Sequence, residues 1–413
     1  MNETSEKLDT KELVGEGNKP LISTRAVTMQ ASPLRKLAAT AEERKRKGIK
    51  VYHLNIGQPD LPTDPVVFET IRNIDHLTLA YAPSAGIIPA LSAWKNYFAQ
   101  VGIHFDESEM VITTGGSEAI IFAMFAVCDN DDEIIVFEPF YTNYNGFATI
   151  ANVNLRPVPL SISNGFHLPP SSEIENYITE KTRGILINNP SNPTGTIYSR
   201  EELQVVVDVV KKHNLFLLSD EVYREFAYDA KFHSVMSFPE IRENAILLDS
   251  CSKRFNVCGA RIGVIASHNK EVIQSAFKFG MARLSVATIE QHAMIPLLNS
   301  PEKFVQPIVQ EFKRRRDILY DYLKEIPGIT YYKPEGAFYI VIGLPVKDSE
   351  HFAKWLIEEF EDRKETALIA PAQGFYATPG KGFNEIRIAY TLNEVELRRS
   401  LEIIKFALEA YRK

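Results

Sequence analysis

Cysteine is scarce in this chain: three among 413 residues (Cys128, Cys251 and Cys258), an odd number with no metal-type pairing and no histidines at ligand spacing. That argues against a disulfide framework or a bound metal and predicts a reducing, cytoplasmic setting. Long apolar runs are missing as well. No stretch reaches the roughly 18 residues that a membrane-spanning helix needs. Residues 1–20, polar and leaning acidic, lack both the apolar core of a signal peptide and the basic pattern of a transit peptide. They are expected to form a flexible extension. Positive charge is in deficit: the net charge of -7 is spread along the chain and offers nothing to nucleic acid or a membrane. Two basic runs, 44–47 and 313–316, lie among Glu42, Glu43, Glu311 and Asp317 and read as solvated helix faces. Internal repeats and low-complexity tracts are absent, which sets solenoids and arrays aside.

What is present has the texture of a large globular protein. At 413 residues, with 45% hydrophobic and 24% charged, the chain exceeds the size of one core, so two domains are expected. From about residue 109, short apolar runs alternate with longer amphipathic ones: 110–114 then 118–127, 133–137 then 141–150, 184–187 then 201–212. Further apolar runs follow at 215–218, 245–248 and 262–266. Runs that are apolar on both faces belong to a covered, mainly parallel sheet, so the fold class is α/β with helices on both faces across 65–300. After Pro301 the pattern changes to a long charged helix, expected to bend at Pro307, then a strand and two more helices. Residues 301–413 are expected to form a smaller α+β domain.

Ligands of such sheets bind where strands end, so polar residues directly after apolar runs are the candidates. Gly115 and Gly116 open a helix and would let backbone N–H groups and the Ser117 hydroxyl approach a phosphate. The Arg261 guanidinium and the Ser250 hydroxyl suit the same anion. Asp220 ends an apolar strand, a costly place for a carboxylate without a cation. A pyridinium N–H about 4 Å away would contribute about 4 kcal/mol, enough to keep a ring nitrogen protonated. Lys253, near another strand end, is the natural amine for a Schiff base with an aldehyde cofactor.

The ordered set Asn192-Pro193-Thr194-Gly195, Asp220-x-x-Tyr223, Ser252-Lys253 and Gly259-x-Arg261-x-Gly263 resembles the class I and II aminotransferases of pyridoxal-phosphate (PLP) fold type I. The resemblance runs from about Ser23 to the C-terminus. It implies PLP held by Lys253, which would also move the proton between substrate Cα and cofactor. Asp220 would sit on the pyridine nitrogen, and Asn192 and Tyr223 on the ring hydroxyl oxygen. Tyr141 would stack on the ring, while Gly116, Ser117, Ser250 and Arg261 would bind phosphate. It further implies a homodimer with shared active sites, in which Tyr81 reaches the neighbour's phosphate, and a segment 21–64 that joins the smaller domain. Arg387, in Ile386-Arg387-Ile388, would grip the substrate α-carboxylate, with the backbone at Gly57 and the Asn192 side chain beside it.

Each of these residues alone has a plain structural reading: a solvated lysine, a helix cap, a core aromatic, a turn. Their joint order favours the functional one. Cys251 and Cys258 flank Lys253 and are read as packing residues. Asp131-Asp132 reads as a helix-to-strand turn. Family members that act on aspartate often carry a lysine after the glycine pair, where this chain has Ser117. Arg283 would then have to read a distal carboxylate from the partner subunit, or else serve as a structural ion pair. The expected activity is amino transfer between an L-amino acid and a 2-oxo acid, with aspartate or glutamate ahead of aromatic amino acids and alanine. PLP lyases and decarboxylases of the same fold are the alternative. A DNA-binding regulator of this shape would need a helix-turn-helix module, for which the first twenty residues are too short.

Overall fold

The computed structural model describes residues 22–30, 36–75 and 78–411. The expected extension at 1–20 lies outside them. Strand β1 (Lys50–His53) stands apart from the next seven. These are β2 (Met110–Thr114), β3 (Glu133–Glu138), β4 (Asn154–Pro159), β5 (Thr182–Asn188), β6 (Phe216–Asp220), β7 (Ala245–Ser250) and β8 (Ile262–Ala266). They form one sheet in the order β2-β8-β7-β6-β5-β3-β4. Its pairs from β7 to β4 are parallel, and β8 alone runs antiparallel to both neighbours.

Period-two alternation sorts the strand residues between two covering layers. Leu186, Leu218 and Ile246 pack toward the helix Gly115–Val127, whereas Ile185, Leu217 and Ala245 pack toward the helix Arg200–His213. The second helix shows why it forms where it does. Ser199 and Glu202 make a reciprocal capping box, Leu203, Val206, Val207 and Val210 turn one apolar stripe inward, and Asn214 ends it in a left-handed conformation.

The helix Pro301–Leu323 is a single element with Pro307 inside it. Beyond it, β9 (Thr330–Tyr331), β10 (Tyr339–Gly343), β11 (Glu365–Leu368), β12 (Ala370–Pro371) and β13 (Glu385–Ala389) follow. An antiparallel sheet takes the order β12-β13-β10-β9, while β11 pairs in parallel with β1. The backbone continues that link, because Leu54 donates to Leu368 at 2.9 Å and accepts from Ala389 at 2.8 Å. Gly57 is thereby carried against the C-terminal part of the chain.

One expectation is corrected here. Of the basic run 313–316, Arg315 and Arg316 are not solvated but almost completely buried, at 2% and 1% exposure. Arg315 pairs with Asp60 at 2.7 Å and Glu311 at 2.8 Å; Arg316 pairs with Asp229 and Asp317, both at 2.8 Å. Consecutive residues on a helix point about 100° apart, so a four-residue run wraps past the exposed face. The turn at Asp131-Asp132 is as read: Asp131 has φ 66 and Asp132 receives Arg183 at 3.0 Å. Among the described residues no helix is long and apolar enough to cross a membrane.

Candidate active site

Strands β2, β3, β5, β6 and β7 point the same way and end at Thr114, Glu138, Asn188, Asp220 and Ser250. The loops that leave these ends meet β10, β13 and the segment after β1 around a cleft of about 400 Å³. Gly57, Gly116, Ser117, Tyr141, Asn192, Asp220, Tyr223, Ser250, Lys253, Arg261 and Arg387 all line it. Two candidates do not. Tyr81 projects from the surface at 82% exposure. Arg283 is half-buried, donating to the Ile112 carbonyl at 3.1 Å and paired with Glu118 at 3.3 Å.

The cleft floor is anionic and the walls are cationic. Asp220 is buried and accepts from the Tyr144 hydroxyl at 2.7 Å. Burial pushes its carboxyl up to about 6, although the Tyr144 hydrogen bond acts the other way. Such a group stays ionised at neutral pH most readily beside a cation. Lys253 Nζ donates to the Gly57 carbonyl at 2.8 Å. The Tyr223 and Tyr339 hydroxyls are 2.8 Å apart, and Tyr339 also points at the Gly57 carbonyl, at 3.5 Å. A Cβ on Gly57 would collide with the Tyr339 hydroxyl, so this position requires glycine.

Arg387, 1% exposed on β13, donates to Asn192 Oδ1 at 3.2 Å and to the Asn55 carbonyl. Its guanidinium lies between the Tyr339 and Phe375 rings, 4.7 and 5.0 Å from their centroids, and its Nε has no partner among the described residues. On the opposite wall Arg261, in a left-handed conformation at φ 54, donates to the Cys258 carbonyl at 3.1 Å. Gly115, with φ 71, lets Arg261 lie against the turn into the helix Gly115–Val127, where any Cβ would run into the guanidinium. The Ser250 and Ser252 hydroxyls, 2.7 Å apart, complete this polar corner.

Sequence reasoning did not select Tyr144 or Tyr339. Tyr144 had one signal, its place one helical turn after Tyr141. Cys258 is a correction: it is not a packing residue but lines the cleft, its Sγ 3.7 Å from Lys253 Nζ. Its neighbour Cys251 does pack, fully buried.

The family model for aminotransferase class I and II matches residues 49–404. The aspartate aminotransferase of Pyrococcus horikoshii is 32% identical over 401 residues, covering 95% of this chain and 99% of its own length. The probable aspartate/prephenate aminotransferase of Aquifex aeolicus is 30% identical over 394 residues, 94% of this chain and 98% of its own. Among solved structures, aspartate aminotransferase from Thermus thermophilus with maleate superposes with a TM-score of 0.86 at 28% identity, over 94% of this chain and all of that one. The chain belongs to the class I and II aminotransferase family.

Proposed function

We propose that this cleft is the active site of a PLP-dependent transaminase that exchanges an amino group between aspartate or glutamate and a 2-oxo acid. The carrying observation is the convergence in one cleft of an amine (Lys253), a buried carboxylate (Asp220) and a buried guanidinium (Arg387). PLP, when bound, supplies an aldehyde and an electron-withdrawing ring. The residues present fit it. Asp220 is a buried anion in need of a cation, and a ring N–H⁺ meets that need.

In this reading Lys253 would hold the aldehyde and, once displaced from it by the substrate amine, its freed amine would move the proton at substrate Cα. Asp220, oriented by Tyr144, keeps the ring nitrogen protonated. Asn192 and Tyr223 would hydrogen-bond the ring hydroxyl oxygen, and Tyr141 would stack on the ring. The N–H of Gly116, the hydroxyls of Ser117 and Ser250 and the Arg261 guanidinium hold phosphate at a helix N-terminus. Arg387 clamps the α-carboxylate with the backbone at Gly57 and the Asn192 side chain, fixing Cα within reach of Lys253. Tyr339, which sequence reasoning did not select, connects the two halves by touching Tyr223, Gly57 and Arg387.

The same reading includes a homodimer in which exposed Tyr81 reaches the neighbouring subunit's phosphate, a cytoplasmic setting, and a division into a cofactor-holding body over 65–300 and a smaller one formed by 301–413 with 21–64. Arg283, engaged by Glu118 and the Ile112 carbonyl, is assigned to bracing rather than to the substrate side chain. The test is borohydride reduction of the PLP-loaded protein followed by peptide mapping. Wild type should carry the reduced cofactor on Lys253, and Lys253→Ala should carry none and lose at least about 10⁴ in kcat. A stable adduct in that variant would sink the assignment.

A further inference from the structure

Behind the residues that line the cleft, six polar side chains form one layer, and none of the six reaches the cleft. Arg224 contacts Glu221 at 3.0 Å and Asp249 at 3.1 Å; Arg254 contacts Glu225 at 3.1 Å and also pairs with Asp249. Tyr97 accepts from Arg224 at 2.9 Å, donates to Glu225 and lies 4.6 Å beneath the Arg254 guanidinium. Five of the six are buried, and Glu225 keeps only 13% of its side chain exposed. A buried ionic group of this kind contributes little net stability compared with apolar packing, while removal of one member leaves a charge uncompensated. Its distinctive property is fixed geometry.

The members are placed tellingly in the chain. Glu221 follows Asp220, Arg224 follows Tyr223, Asp249 precedes Ser250 and Arg254 follows Lys253. At the ends of β6 and β7 the alternation of side chains turns one residue to the cleft and its neighbour into the layer. Adjacent Cα atoms are held about 3.8 Å apart, so a displacement in the layer is passed directly to the site residue beside it.

We infer that this layer is a common base that sets Asp220, Tyr223, Ser250 and Lys253 relative to one another, with Arg224 and Arg254 as positioning residues. Arg224 joins the turn after β6 to β7 by gripping Glu221 and Asp249 together. Arg254 ties the lysine loop to the same Asp249 and to Glu225. Asp249 also accepts from the Ser250 backbone N–H at 2.7 Å, so the base reaches the phosphate corner as well. A planar guanidinium bridges two carboxylates in a way that a lysine ammonium does not. The inference rests on the assignment of those four site residues to the cofactor.

The test uses PLP-loaded protein held well below its unfolding midpoint. Wild type must first show a visible circular dichroism band from bound PLP; its absence overturns the site assignment itself and the inference with it. Arg254→Lys is then expected to weaken that band, which reports fixed ring orientation, and to lower kcat about 10²-fold, the scale of a displacement of about 1 Å. The KM for the amino acid should stay within about threefold, because Arg387 is outside the layer. Tyr97→Phe, which removes one hydroxyl and no charge, should lower kcat about tenfold, and it carries the test if Arg254→Lys does not fold. Arg316→Gln is the control, since it disturbs a buried arginine remote from the cleft. If the layer variants keep the band and kcat of wild type, or lose only what Arg316→Gln loses, the layer is a stability element and the inference is overturned.

Discussion

Two groups of buried arginines invite comparison: Arg224 and Arg254 beneath the cleft, and Arg315 and Arg316 on the helix Pro301–Leu323. All four are at most 5% exposed. The first two meet Glu221 and Asp249, which are almost entirely buried, so both partners of those pairs have lost their water. The second two meet carboxylates still in contact with solvent: Asp60, Asp229 and Asp317 keep 37%, 44% and 46% of their side chains exposed. They also cap carbonyls, Arg316 that of Pro334 at 2.9 Å and Arg315 that of Thr391. A half-wet pair staples segments together at modest desolvation cost, whereas a dry one is chosen for placement. Charge in this molecule thus does two jobs, and distance from the strand ends sorts them.

Substitutions can break or sharpen that division. The largest effect is expected for Arg387, buried like the others but turned to the cleft. Arg387→Ala should lower kcat/KM by about 10³ for every amino acid tested, the loss of charge-assisted bonds to a shared α-carboxylate. A loss confined to one substrate would place that arginine elsewhere. Asp220 comes next. Its folded-state value, raised by burial to about 6, exceeds the unfolded value of about 3.9. This group's contribution therefore favours the cofactor-free fold fully below about pH 4 and is lost as pH rises through about 6. Between pH 4 and 7, cofactor-free wild type should lose about 2 kcal/mol relative to Asp220→Asn, read by urea unfolding of both. Parallel curves would show that the carboxylate is already compensated.

A smaller effect belongs to the half-wet staple. Arg316→Gln should cost about 2 kcal/mol of stability, below the roughly 3–5 kcal/mol of an enclosed pair, because Asp229 and Asp317 can regain water. Its kcat should match wild type. Smallest of all is Arg283→Ala, expected to cost about 1 kcal/mol of stability and to move kcat/KM for aspartate and alanine together. A selective collapse for aspartate would make it a reader of the distal carboxylate after all.

What could be read in the sequence follows from where information is local. Lys253, Asp220, Asn192 and Arg261 announce themselves because each is a polar residue at the mouth of an apolar strand, in a fixed order. Six of the seven strands of the sheet were legible for the same reason, down to runs such as 262–266; β4, with its mixed Asn154–Pro159 sequence, was not, and the antiparallel direction of 262–266 depends on pairing with 110–114, about 150 residues earlier. Tyr144 and Tyr339 were not legible, since an aromatic in an apolar element looks the same whether its hydroxyl is orphaned in a core or aimed at a carboxylate. Arg315 was hidden by distance, its partner Asp60 being contributed from the other end of the chain. Cys258 was misjudged because its exposure depends on how the loop after Lys253 folds back.

The pairing of β1 with β11 has a consequence for synthesis. Gly57 emerges from the ribosome early, but the strand that carries it into the cleft has no partner until residues 365–368 have been made. Arg387 arrives later still. In the proposed site, the strand ends assigned to the cofactor are therefore all present in the chain well before the residues assigned to the amino acid, and that second half of the cleft is assembled last.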